Sequence, residues 1–403
     1  MLFLGVDWAE AHHDVCLLDG QGKVLGQRRL SDSLEGMRRL HELVAKHAQE
    51  SEQVVVGIET DRGLLVQFLL GSGYQVFAIN PLAVSRYRDR HTTSRAKSDT
   101  GDAKLLAELV RSDRHNHRPV AGDSEPASAV QILARAHQNL IWSRQRQANQ
   151  LRSLLREFYP AALQAFGGHL QESDAIAILE RAPTPAQGRS LSQAKIVSAL
   201  RKAGRQRNLA TKAAQIQTCL RAPQLQPPGQ LAQAYGSGVV ATVRLLGQMN
   251  AELETLEREL AGHFEGHPDA EIYLSLPGLG ITLSARVLGE FGDDPTRYQH
   301  PKARKNYAGT SPVTRQSGTR RVVQTRVARN DRLADACQLW AFASLRGSPG
   351  AHRYYQQLRA RGQSHQQALR GLANRLVGIL HGCLRHRQPY REDVAWPLFE
   401  AAA

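Results

Sequence analysis

The stretch "LFLGVDWA", residues 2–9, decides how the first third of the chain is read: an apolar run that stops at a carboxylate, Asp7. Such a run is the pattern of a buried strand with an acid at its end. "HDVCLLD" (13–19) and "KVLGQRRL" (23–30) read as two more strands joined by the turn "GQG", and "SLEGMRRLHELVAKHA" (33–48) as an amphipathic helix beginning after Ser33. A fourth strand, "QVVVGIET" (53–60), reaches Glu59; a helix "GLLVQFLLGSG", a short strand "YQVFAIN" and a helix from Pro81 follow. The pattern predicts an α/β layer sandwich opening with a β-meander, closed by the linker-like "RPVAGDSEPAS" (118–128).

Composition narrows the partner. The chain has 403 residues, of which 41% are hydrophobic, enough for two or three domains with their own cores. Its net charge of +15 and pI near 10.0 point to a polyanion, with nucleic acid ahead of a membrane surface. No apolar run has the length of a spanning helix, and "MLFLGVDWAE" carries a carboxylate too early for a secretory signal, so no membrane partner and a cytoplasmic, nucleoid-associated location are expected. Cys16, Cys219, Cys337 and Cys383 are far apart and form no C-x-x-C pair, which argues against a zinc knuckle or a disulfide framework.

From Val130 the pattern turns helical, with a heptad row through Leu133, His137, Leu140, Arg144, Gln147, Leu151, Leu154 and Phe158. Polar residues inside such a row suggest a long helix pairing with another, either within the chain or across a dimer; Met249, Leu253, Leu256 and Leu260 offer a partner row. Between them, Arg181 to Ala251 holds ten Lys or Arg and no Asp or Glu, which favours a phosphate-binding surface over a merely solvated face. The loop "APQLQPPGQ" interrupts it. From about His267, "LPGLGITLSARVLGEFGD" (276–293) places a Pro-Gly-x-Gly turn between two helix patterns, either a helix-hairpin-helix with phosphate-holding amides or a plain αα-hairpin. Arg297 to Arg332 then carries ten Lys or Arg against one acid, Asp331.

The acids suggest chemistry. In "SRAKSDTGDAKLLAEL" (94–109), a helix opening near Ser98 puts Asp99 and Asp102 on one face of its first turn, just after Arg95 and Lys97. If the strands ending at Asp7 and Glu59 are neighbours and this helix caps their edge, four carboxylates meet. Oxygen ligands without His or Cys suit Mg²⁺ or Mn²⁺, which bridge phosphate oxygens and acidify a bound water or hydroxyl. Singly, Asp99 is simply a first-turn acid and Asp102 an ion-pair partner for Lys97, Lys104 or Arg95. Asp14, Asp19 and Asp61 read as solvent-exposed acids, with Asp61 close enough to Glu59 to serve as a second ligand. Ser317, in "TRQSGTRR" (314–321), precedes Gly318 among Arg315, Arg320 and Arg321, with Arg326 beyond. It is either a nucleophile beside a guanidinium-held phosphodiester or part of a basic turn.

Together these residues resemble the bridge-RNA-guided serine recombinases, the insertion sequence one-hundred-and-ten family of transposases. "GVDWA", "GIET" and "KSDTGDA" are similar to the D-E-D-D motifs of that family's RuvC-like, RNase H-fold domain, at Asp7, Glu59, Asp99 and Asp102. "LPGLGITLSA" and "YAGTSPVTRQSGT" fall in the order of its transposase domain, with Ser317 as the serine. The resemblance implies an RNase H-like α/β domain over 1–122, a helical coiled-coil region over 123–265 and a mostly helical transposase domain over 266–403. It further implies Mg²⁺ at the tetrad, a covalent 5′-phosphoserine intermediate, donor and target DNA, a structured noncoding guide RNA, and homodimers assembling to a tetramer. The region around Ser317 is richer in Arg than the family pattern. A metal-dependent nuclease of the Holliday-junction-resolvase type would need only the carboxylates, and a non-enzymatic nucleic-acid binder would need only the charge.

Overall fold

The structure is a computed structural model that describes residues 1–91, 98–117, 119–120, 122–327 and 329–397. It divides into two compact units, Met1–Gly122 and Asp123–Ala403.

In the first unit the chain runs β1 (Leu2–Trp8), β2 (His12–Leu18), β3 (Val24–Ser31), α1 (Leu34–Ala45), β4 (Val54–Ile58), α2 (Leu64–Gly71), β5 (Gln75–Ala78), α3 (Pro81–His91) and α4 (Asp99–Asp113). The sheet order is β3-β2-β1-β4-β5; β1, β2 and β3 form the antiparallel meander, and β4 and β5 join parallel to β1. This mixed α/β sheet is consistent with an RNase H-like domain. Side chains alternate between its faces. Leu2, Leu4, Val6, Val15 and Leu17 pack with α1 and α2, whereas Phe3, Cys16, Leu18 and Val55 pack with Ala103, Leu106, Ala107 and Val110 of α4.

The second unit is built on two long helices, α5 (Glu125–Phe158) and α11 (Gly229–Glu265). Between them come α6 (Pro160–Phe166), α7 (Ser173–Arg181), α8 (Pro185–Ser190), α9 (Gln193–Lys202) and α10 (Leu209–Arg221). After them come α12 (Ala270–Ser275), α13 (Ile281–Phe291), α14 (Pro301–Tyr307), β6 (Val313–Ser317), β7 (Arg320–Gln324), α15 (Asp331–Gly347), α16 (Pro349–Ala360), α17 (His365–His386) and α18 (Glu392–Ala395). The long helices pair antiparallel within the chain. His137 meets Glu257 at 3.0 Å, Arg144 donates to Asn250 at 2.9 Å, and Phe158 stacks on Tyr235 with ring centroids 4.8 Å apart. His137 and Arg144 of the heptad row therefore face polar residues of α11 within the chain. One core gathers α6 to α10 at the Phe158 end of the pair, and another gathers α12 to α17 at the Val130 end.

The Pro-Gly-x-Gly turn lies between α12 and α13 and packs inward. Trp340 Nε1 donates to the Pro277 carbonyl at 2.9 Å. Gly278 has φ +81°, and a Cβ there would lie 2.4 Å from the Ser344 amide nitrogen, so the turn's glycine serves close packing against α15. Nearby, His381 of α17 is 5% exposed, and neither ring nitrogen has a hydrogen-bond partner among the described residues. Burial, helped by Arg304, Arg385, His300 and Lys305, pushes its pKa down to about 4. Between the ordinary His value and 4 the unfolded chain takes up a proton that the folded chain refuses, so stability falls as pH drops through that window. Urea unfolding at pH 7 and near 4.5 is expected to differ by about 2 kcal/mol more in the wild type than in His381→Leu.

Candidate functional site

The acidic edge of the first unit is set by a close helix–sheet approach. Gly5 and Gly57 are register partners on the parallel pair β1 and β4. A Cβ on Gly5 would lie 1.8 Å from the Ala103 carbonyl oxygen, and one on Gly57 2.6 Å from that of Leu106. Only glycine lets the α4 backbone rest there. Helix α4 runs antiparallel to β1: Arg114, just past its end, lies over the Phe3 ring and donates to Met1 Sδ, while its first residue, Asp99, reaches the Asp14 end of β2. The first turn of α4 is thereby delivered to the edge where β1 and β4 end. Ser98 caps it, accepting from the Gly101 amide at 3.2 Å.

Asp7 lies one residue before the end of β1, and Glu59 directly follows β4; strand alternation puts both on the face that α4 covers. The two helix acids part company despite their spacing. Asp102 is buried against the sheet and ion-paired with Arg88 of α3, whereas the Asp99 side chain is 56% exposed and accepts from Arg29 Nη2 at 3.0 Å. Their partners are thus Arg88 and Arg29. Arg95 and Lys97 lie outside the described residues.

One acid needs correction. Asp14, read as solvent-exposed, is 4% exposed and is the cross-strand partner of Asp7. Arg29 of β3 holds it through both Nε, at 3.1 Å, and Nη2, at 2.8 Å, and then reaches Asp99. These hydrogen bonds, Asp14's first, hold the Arg29 guanidinium pKa above its ordinary value. His12, Asp14 and Asp99 present ligand atoms within 4.8 Å of one another. Strand alternation in "HHDVCLL" was the available signal, since it puts Asp14 on the same face as Cys16, Leu18 and the Asp7 side. Asp61 is exposed. Two carboxylates and one imidazole, from Asp14, Asp99 and His12, thus form a donor set that fits a hard divalent cation; of the four expected acids only Asp99 belongs to that group, and Asp102 is engaged by Arg88.

The segment around Ser317, expected as either a nucleophile's setting or a turn in a basic loop, is a β-hairpin. Strands β6 and β7 pair Ser317 with Arg320, Gln316 with Arg321 and Arg315 with Val322. Gly318, at φ +55°, occupies the first position of the two-residue turn, where L-residues other than glycine are strained. Val-Thr-Arg-Gln-Ser and Arg-Arg-Val-Val-Gln around a Gly-Thr turn carry the hairpin signal in sequence. Alternation places Arg315, Ser317 and Arg320 on one face and Arg321 on the other. Among the described residues Arg315, Arg320 and Arg321 make no salt bridge, and all are exposed; Arg326 is half-buried and donates to Asn306 at 3.2 Å.

An acid-lined sheet edge in one unit and an arginine-flanked serine arm in another define a nucleic-acid-processing class of protein. Residues 4–160 match the DEDD_Tnp_IS110 family model, described as "Transposase", and residues 270–356 match a model described as "Transposase IS116/IS110/IS902 family". The chain is 45% identical to the "Mini-circle putative transposase for IS117" of Streptomyces coelicolor, over 100% of this chain and 98% of that one. It is 29% identical to the "Insertion element IS110 uncharacterized 43.6 kDa protein" of the same species, over 95% of this chain and 94% of that one. It is 28% identical to the "Insertion element IS900 uncharacterized 42 kDa protein" of Mycobacterium paratuberculosis, over 96% and 97%. The chain belongs to the IS110 family of transposases. Transposases act on DNA, and a domain of the DEDD type suggests use of a divalent metal. No helix among the described residues is long and apolar enough to cross a membrane.

Proposed function

We propose that this transposase is an RNA-guided DNA recombinase that exchanges strands through a covalent phosphoserine. The observation that carries the reading is Ser317 at the tip of an exposed hairpin, with Arg315 and Arg320 on its own face and, among the described residues, no acid paired to either. Guanidinium groups so placed can hold two oxygens of a phosphodiester and stabilise the charge that builds as it is attacked. Ser317 Oγ attacks the phosphorus and the P–O3′ bond breaks. The 5′ side becomes esterified to serine, and the serine proton passes in net to the released 3′ oxygen. The reverse attack by another 3′-hydroxyl rejoins strands without a high-energy cofactor.

Asp7, Glu59, Asp99 and Asp102 would hold Mg²⁺, or Mn²⁺, whose chemistry at this edge is to polarise a phosphate oxygen and acidify a bound hydroxyl. The same reading includes the parts 1–122, 123–265 and 266–403. The acid-free stretch in the second part would serve as an RNA-binding surface, and homodimers would assemble to a tetramer on donor and target DNA in the cytoplasm.

Incubating the protein with Mg²⁺, labelled DNA spanning its element's end junction, and RNA from the adjoining noncoding segment tests this on a denaturing gel. An RNA-dependent band of protein attached to DNA is the expected result. Free cleaved DNA with no adduct would overturn the serine mechanism and leave a carboxylate nuclease of the resolvase type.

The hairpin faces sharpen the expectation. Arg320→Ala is expected to slow adduct formation by about 100-fold, the usual effect of removing one donor to a developing oxyanion. Arg321→Ala, on the opposite face, is expected to slow it less than about threefold and mainly to weaken salt-dependent DNA affinity. Single-turnover adduct formation in parallel with gel shifts checks both.

A further inference from the structure

The second unit contains a cleft of about 430 Å³ between α14, α17 and the segment entering α18, within the size range of small-ligand sites. Lys305, Arg375 and the Asp393-paired Arg391 provide its charge; Ile379, Pro389 and Val394 provide its apolar wall. We propose that this cleft is a nucleotide pocket, taking one phosphate of a single-stranded DNA segment on Lys305 and Arg375 and the adjoining base against Ile379, Pro389 and Val394. The proposal rests on the reading that the chain handles DNA, but not on the serine chemistry.

The local charges argue for an anion. Among the described residues the Lys305 ammonium has no hydrogen-bond or carboxylate partner, and the Arg375 guanidinium is held only by the Ala395 carbonyl, at 3.0 Å, and the face of Trp396. The acids that could have neutralised them are engaged elsewhere: Glu392 accepts from Tyr390, Ser348 and the Gly350 amide, and Asp393 pairs with Arg391. Burial, and then Arg375, holds the Lys305 pKa below its ordinary value, a disadvantage that a bound phosphate reverses. Room for the lysine is built in: a Cβ on Gly378 would lie 2.8 Å from its Cε and 2.9 Å from its Nζ.

The apolar side argues for a nucleotide over a bare anion. Val394, 68% exposed, continues the wall of Ile379 and Pro389 at the cleft, so the three side chains together offer an apolar face beside Lys305 and Arg375. A concave site of this size admits one unstacked nucleotide and excludes a duplex, and base contact with an apolar surface tolerates any sequence.

Two chemically modifiable groups of the cleft report on occupancy. Cys383 lines it and Lys305 enters it, while half-buried Cys219, in the other core region, is an internal control. A short single-stranded DNA is expected to slow alkylation of Cys383 and acylation of Lys305 several-fold and to leave Cys219 unchanged. Lys305→Gln and the surface change Val394→Asp should each abolish protection of Cys383. Unchanged labelling of both groups, at a DNA concentration that shifts all the protein on a native gel, would overturn the pocket. Protection by RNA but not by DNA of the same sequence would overturn its assignment to DNA. Either outcome leaves the Ser317 adduct assay unaffected, and loss of that adduct leaves the labelling result standing.

Discussion

Ser317→Ala is expected to abolish the covalent protein–DNA species, with recombination falling by about 10⁴-fold or more, as removal of an attacking nucleophile does elsewhere. The substitution should disturb little else. Ser317 is exposed, lies in extended backbone that alanine adopts without strain, and makes no hydrogen bond among the described residues beyond the strand ladder. A stability change within about 0.5 kcal/mol is expected for such a surface position. Noncovalent DNA affinity should also persist, because Arg315, Arg320 and Arg321 retain their charge. Gel shift, thermal unfolding and the adduct gel on one preparation therefore separate chemistry from folding and binding. A hydrolase using only the acidic edge would cleave DNA normally with alanine at 317. A binding protein would show no adduct in the wild type either.

The parts of this design that were legible in sequence are those governed by local periodicity. The strands around Val6, Leu17 and Val56 and the Ser98 cap before the D-x-x-D turn announce themselves because apolar alternation and capping chemistry act over a few residues. Asp14 is not locally legible as buried, because its burial depends on which strand lies beside it. It becomes a partner of Asp7 only when β2 folds back on β1, and its charge is tolerated because Arg29 arrives from a third strand. The claim of Arg88 on Asp102 was invisible for the same reason, since α3 and α4 meet only in the folded chain. The heptad row through His137 and Arg144 correctly suggested a long helix. Its partner could be chosen only once Glu257 and Asn250 were seen opposite those polar positions. The hairpin is written in the alternation on either side of the Gly318-Thr319 turn, in a stretch whose charge by itself says nothing of strand pairing.

Gly5→Val is expected to remove metal-dependent activity by displacing the helix that carries two of the acids. The atoms that an added Cβ meets are the Ala103 carbonyl oxygen at 1.8 Å, the Ala107 nitrogen at 2.5 Å and the Ala103 carbonyl carbon at 3.0 Å. All belong to the α4 backbone, so no side chain can rotate out of the way. Ordinary contact requires the helix to rise by about 1.5 Å or β1 to bend away, and both routes open the core formed by Phe3, Val55, Ala103 and Leu106. Overpacking of this kind costs about 3 kcal/mol or more. Misplacing catalytic groups by about an ångström lowers the rate by about 100-fold even in the fraction that folds. The milder Gly5→Ala meets the same backbone atoms and should retain the sheet while lifting α4, whereas Gly57→Ala, whose nearest atom is 2.6 Å away, should do less. Gly20→Ala, where nothing lies within 4 Å of an added Cβ, is the control. If acid positioning governs the reaction, activity should fall in the order Gly20→Ala, Gly57→Ala, Gly5→Ala, and extra Mg²⁺ should rescue Gly57→Ala better than Gly5→Ala. Equal activity and equal thermal stability across the series would mean that the seat of α4 does not position the acids, and that Asp99 and Asp102 play no part in the chemistry.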